Sequence, residues 1–185
     1  MALNTTQNQN PARAALLNKY VSARSSLLIV VICTAVNMVM AILGNDSYFV
    51  FSAYVPYQLT FFGSLLCGKM PEYWYEGEEG YQVVSDGALL IGLAALAAVI
   101  LCVYLVLWIL TKKLSKPLMI TSLVLFSIDT GLMFLLNGLS TDLLLDYLLH
   151  AYVIYSLANG IIAVSKINAL PEEPIEVESF TDVTE

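Results

Sequence analysis

The stretch ALLIGLAALAAVILCVYLVLWILT, Ala88 to Thr111, runs without a single charged residue. A helix rises about 1.5 Å per residue, so roughly 20 apolar residues cross the hydrocarbon core of a bilayer. Lipid offers backbone N–H and C=O groups no hydrogen-bond partner, and a helix satisfies them within itself. The stretch therefore reads as a membrane-spanning helix. Ser26 to Gly44, Leu118 to Asn137 and Leu143 to Ser165 share its character. The expected fold is an all-α membrane protein, a four-helix transmembrane bundle with spans at about 26–44, 88–111, 118–137 and 143–165.

Composition points the same way. The chain is 58% hydrophobic and 12% charged, with a mean hydropathy of +0.75, whereas soluble domains carry roughly 25% charged residues. A large water-soluble core is excluded, and the 185 residues make one membrane domain. The lipid bilayer is the expected partner, with no nucleic acid.

The basic residues set the orientation. Arg13, Lys19 and Arg24 precede the first span, Lys112, Lys113 and Lys116 separate the second from the third, and Lys166 follows the fourth. Short loops that keep Lys and Arg stay cytoplasmic, so both termini are expected in the cytoplasm of a cell-membrane protein. Only Lys69 falls on the other side. Residues 1–24 form the expected N-terminal segment, in which Asn10 caps and Pro11 starts a short amphipathic helix resting Ala15, Leu16 and Tyr20 on the inner leaflet. Residues 25–168 form the membrane domain. Residues 169–185, with Glu172, Glu173, Glu176, Glu178, Asp182 and Glu185, read as an acidic disordered cytoplasmic tail.

Residues 47–87 then form an outer cap. Tyr48 to Cys67 is apolar, but a fifth span there would put Pro56 at its centre and move Lys112, Lys113 and Lys116 outside. Phe51, Tyr54, Val55, Leu59, Phe62 and Leu66 recur at helical spacing, as in an interfacial or re-entrant helix serving as anchor or lid. Glu72, Glu76, Glu78, Glu79 and Asp86 crowd the rest of the loop without the spacing of a calcium-binding EF-hand, and no metal is expected. Asn45-Asp46-Ser47 fits a glycosylation acceptor.

Ionisable groups in hydrocarbon need a reason. Asp129 lies eight residues before the end of the third span and His150 eight after Asp142, so both sit about 12 Å deep. The short Asn137 to Asp142 connection makes the two spans a hairpin, and a contact between Asp129 and His150 is expected. Asn37 sits about 11 Å deep in the first span. Asp146 stands one turn above His150, and Ser122 two turns below Asp129, outlining a short polar track. The small-residue pairs Ala88/Gly92 and Ala94/Ala98 are expected to let the second span pack closely around it. These side chains read either as glue between helices or as proton-handling groups.

Enzymatic chemistry finds no foothold. One histidine cannot build a zinc hydrolase centre, no Gly-x-Ser-x-Gly turn surrounds Ser122 or Ser127, and Cys33, Cys67 and Cys102 form no Cys-x-x-Cys. No cofactor is expected.

The Pro-Ala-Arg start at Pro11, Phe51-Ser-Ala-Tyr-Val-Pro-Tyr57, Leu125-Phe-Ser-Ile-Asp-Thr130 and His150-Ala-Tyr-Val-Ile-Tyr155 together resemble small bacterial multi-pass membrane proteins that carry no established activity. The resemblance implies a bacterial inner membrane and transfers no catalytic residue. The expected function is that of a non-enzymatic accessory or sensor subunit in a larger membrane complex. The alternative is a small proton-linked or cation transporter working as a homo-oligomer through Asp129, His150 and Asp146.

Overall fold

Five α-helices and two single 3-10 turns make up the described part of the chain, residues 11–76 and 87–171 of a computed structural model. The helices are α1 (Pro11–Ile42), α2 (Tyr54–Leu66), α3 (Gly87–Leu110), α4 (Lys116–Asn137) and α5 (Leu144–Ala169), and the 3-10 turns cover Glu72–Trp74 and Thr111–Lys113. Among the described residues there is no strand. The protein is an all-α bundle in which α1, α3, α4 and α5 are long and apolar enough to cross a membrane. Its surface supports that reading, since Ile91, Val99, Val124, Ile128, Leu148 and Ile162 are exposed while Thr34, Asn37, Asp129 and His150 are buried. Water would reverse that distribution; lipid favours it.

α3, α4 and α5 fall within a few residues of the expected spans, whereas α1 ends near its expected limit but begins fifteen residues before Ser26. Two readings are corrected. α1 is one unbroken helix from Pro11, so no separate amphipathic helix precedes the first span. At 32 residues it is about 48 Å long, enough to cross the bilayer and continue beyond it. The expected small-residue pairs of α3, Ala88/Gly92 and Ala94/Ala98, do not form a close helix interface either, although Ala97 beside them is buried. Ala88, Gly92 and Ala98 are exposed, and a Cβ on Gly92 would meet nothing. Close packing occurs instead between α1 and α5, where a Cβ on Gly160 would come within 2.7 Å of the Ala23 Cβ. Ser26 and Ser156 hydrogen-bond across the same seam at 3.0 Å.

One end of the bundle carries Lys112, Lys113, Lys116 and Lys166; the other, here termed the mouth, carries Lys69 and the 43–53 and 138–143 connections. The lysine end is tied together by Arg24, which donates to the Thr111 hydroxyl and the Trp108 carbonyl at 3.2 Å each and stacks on the Trp108 ring. Tyr20 donates to the Thr111 carbonyl at 2.6 Å. Between the two ends lies an apolar core that includes Leu27, Val30, Met119, Phe126, Val153 and Leu157.

At the mouth the chain folds back into the bundle. Past Gly44 it runs extended beside α1, placing Phe49 against Asn37 and Ala53 against Thr34. Thr34 is ten residues from Gly44, about 15 Å down the helix. The chain then returns as α2, packed on α3, α1 and α4. Gly44 adopts a positive φ of 78° and abuts the Lys69 carbonyl, which any Cβ there would strike, so the descending and returning arms close against each other. The 47–67 segment thus folds back against the bundle as a hairpin.

Two details of that hairpin bear on the sequence reading, the first agreeing with it and the second departing from it. Pro56 lies in the first turn of α2, where no intrahelical N–H is required, and so helps begin the helix. The buried face of α2 is Tyr57, Thr60, Phe61, Ser64 and Leu65, while Phe62, from the expected apolar face, is exposed. Glu78, Glu79 and Asp86 of the acidic loop, and the acidic tail from Glu172 onward, lie outside the described residues.

Candidate functional site

Irregular backbone at membrane depth survives only where protein satisfies its polar groups. The descending arm and the head of α2 expose such groups, and Ala53 at the N-cap brings no side-chain acceptor. Three side chains answer them. Asn37 accepts from the Phe49 N–H at 2.7 Å, donates to the Phe49 carbonyl at 2.8 Å, and donates to the Ser52 hydroxyl at 2.9 Å. Thr34 accepts the Ala53 N–H at 2.8 Å. Asp129 reaches across from α4 and accepts the Tyr54 and Val55 N–H groups at 2.7 and 2.9 Å, one on each carboxylate oxygen.

Asp129 therefore caps α2 from another helix. Charge-assisted bonds to two free amides, reinforced by the positive end of the helix dipole, stabilise a carboxylate that is only 4% exposed. His150 lies beside it, with Nε2 3.9 Å from Asp129 Oδ2, too far for a hydrogen bond. The Nδ1 of His150 is 2.8 Å from the Asp146 backbone carbonyl. A carbonyl only accepts, so Nδ1 carries the hydrogen, and whenever the ring is neutral Nε2 is the nitrogen that offers a lone pair. That Nε2 is buried and has no hydrogen-bond partner.

Above His150 opens a cavity of about 180 Å³ at the mouth. Its wall includes Asp46, Tyr48, Tyr57, Gln58, Asp146 and His150, with the exposed Trp74 and Asn137 at the rim. Tyr48 donates to Asp146 Oδ2 at 2.8 Å, and Trp74 Nε1 donates to Asp46 Oδ2 at 3.2 Å. The Tyr48 and Tyr57 rings stack with centroids 5.3 Å apart, and Trp74 meets Phe61 edge-on at 5.1 Å. Burial, then the nearby Asp46 and Asp146 carboxylates, pushes the Tyr57 hydroxyl up to about 12. Burial and the bond to Asp146 move Tyr48 in the same direction. Both phenols are neutral in ordinary buffers.

The cavity ends at His150. Phe126 stacks under the imidazole with centroids 5.1 Å apart, and Tyr104 packs edge-on against Phe126 at 6.5 Å. Below them the core is apolar. Ser122, expected in the polar track, donates to the Leu118 carbonyl of its own helix at 2.9 Å and lies beyond the Phe126 ring. On its other flank Asp129 borders an apolar crevice of about 250 Å³ between α3 and α4, lined by Val55, Val99, Val103, Ile128 and Leu132.

The structure thus joins Asp129, His150 and Asp146 in one cluster, gives Asn37 the re-entrant arm to hold, and separates Ser122 from both. Thr34, Tyr48, Tyr57, Gln58 and Trp74 were not legible as site residues. The one available signal was the uncapped start of α2, which requires acceptors from elsewhere. Among the described residues no three His, Cys, Asp or Glu side chains stand together as metal ligands. No protein-family model, curated protein or solved structure matches the chain. The reading of the site rests on its own geometry.

Proposed function

We propose that this chain is a non-enzymatic, multi-pass cell-membrane protein that serves as a sensor or accessory subunit, with its mouth outside the cell and both termini in the cytoplasm. The observation that carries the reading is the blind cavity. Polar groups gather at the mouth, and the stacked Phe126 ring with the apolar core beneath it closes the way to the lysine end. Asp129 supports it too, since both of its oxygens are committed to backbone amides and are poorly placed to pass protons. The lysine-rich end supplies the orientation through retention of positive charge on the cytoplasmic side. The resemblance to small bacterial multi-pass proteins supports an inner membrane.

Reconstitution into liposomes loaded with a pH-sensitive dye tests the reading. Proton flux is expected to stay at the protein-free level. Flux that Asp129→Asn abolishes would establish the transporter instead. Lys113→Cys, in a background with Cys33, Cys67 and Cys102 replaced by serine and treated with an impermeant maleimide on intact cells, is expected to remain unlabelled until the membrane is opened. Labelling from outside reverses the orientation.

A further inference from the structure

The mouth cavity is rich in hydrogen-bond acceptors, and among the described residues of its wall none is Lys or Arg. Two of the acceptors are idle. His150 Nε2, on a side chain 3% exposed, and Gln58 Oε1 are both buried without a partner. Buried polar groups are ordinarily paired, so each calls for a donor. Asp46 and Asp146 each engage one carboxylate oxygen with Trp74 and Tyr48 and keep the other. The remaining wall is aromatic, with Tyr57, Phe61 and Trp74 offering ring faces and edges. Negative charge, idle acceptors and aromatic rings together suit a cation that carries N–H donors.

An inorganic divalent cation suits it poorly, because calcium takes roughly six to eight oxygen ligands and this wall is largely carbon. The volume of about 180 Å³ falls below the roughly 300–1,000 Å³ of sites for drug-sized molecules, so the occupant is compact.

We propose that this cavity binds a small protonated primary amine, whose ammonium group donates to Asp146, His150 Nε2 and Gln58 Oε1 and whose carbon body lies against Tyr57, Phe61 and Trp74. The site deepens the sensor reading and rests on it only for the side from which the amine arrives.

The chain has two tryptophans, Trp74 and Trp108, so the Trp108→Phe protein in lipid nanodiscs makes Trp74 fluorescence a reporter of the cavity. Butylammonium is expected to shift the emission saturably. Butanol, of the same shape without the charge, is expected to leave it unchanged. Tetramethylammonium, charged but without N–H groups, is expected to bind about tenfold more weakly or worse. Asp146→Asn should weaken butylammonium by about tenfold or more, through loss of the charge partner. Gln58→Leu removes an acceptor that bonds to nothing among the described residues, and should weaken binding severalfold without lowering the melting temperature. Equal responses to butanol and butylammonium, or an affinity untouched by both substitutions, overturn the proposal. Absence of butylammonium binding by the folded protein overturns the site and leaves the sensor or accessory reading standing. Saturable binding accompanied by passage of the amine into liposomes upholds the site and overturns the blind-cavity reading.

Discussion

Asp129 in α4 accepts the amide hydrogen of Tyr54, the first residue of α2, at 2.7 Å across 75 positions of sequence. Its second oxygen takes the Val55 amide. The carboxylate expected in contact with His150 acts first as the cap of a half-buried helix start.

Asp129→Leu strands two amides in a dry environment, at about 1–3 kcal/mol each. Asp129→Asn keeps one acceptor oxygen and should cost less than the leucine. Thermal melts in nanodiscs should rank wild type above Asn and Asn above Leu. A leucine variant that melts with wild type would dismiss the cap.

Asn37 both donates to and accepts from Phe49. Asn37→Leu should lower stability by about 2–5 kcal/mol, because two backbone groups of the descending arm lose their partner. Asn37→Asp retains the acceptor and loses the donor, and should fall between. A Phe49→Cys reporter in the Asn37→Leu background should react faster with a soluble maleimide as the arm loosens; an unchanged rate would count against anchoring by Asn37.

The spans and the depth of Asp129 and His150 were legible because hydrocarbon forces long apolar runs and a helix has a fixed rise. The burial of α2 was not. In lipid a helix is apolar on both its core face and its lipid face, so the spacing of Val55, Leu59 and Phe62 carries no more information than that of Tyr57, Phe61 and Leu65. Pro56 spoke against a fifth span through Tyr48 to Cys67, and α2 indeed begins only two residues before it. The small-residue pattern likewise occurs on both α3 and α5, and only the fold shows that Ser156 and Gly160 are the pair that meets a neighbour.

That pair gives a contrast. Gly160→Leu drives a side chain into Ala23 and should lower stability by about 1–3 kcal/mol. Gly92→Leu enters open space and should change it by about 0.5 kcal/mol or less. Unfolding of both variants in the same detergent compares them directly, and equal losses would remove the α1–α5 seam as the tighter contact.

Tyr57 supplies a pH dependence. Its hydroxyl is pushed up to about 12 from the ordinary 10.0, so the fold favours the neutral phenol. The associated stability is complete below pH 10, declines once the unfolded chain begins to ionise, and is lost as pH rises through about 12. Melting temperatures should therefore fall between those values, and Tyr57→Phe should flatten the decline. An identical decline in the phenylalanine variant would assign it to other groups.

The distance in sequence between the half-helix and its acceptor also imposes an order on biogenesis. Thr34 and Asn37 are already synthesised when α2 leaves the ribosome, but Asp129 follows 75 residues behind Tyr54. Until α4 arrives, the leading amides of α2 are best served by water at the headgroup layer. The cap of α2 is therefore complete only once α4 has been made.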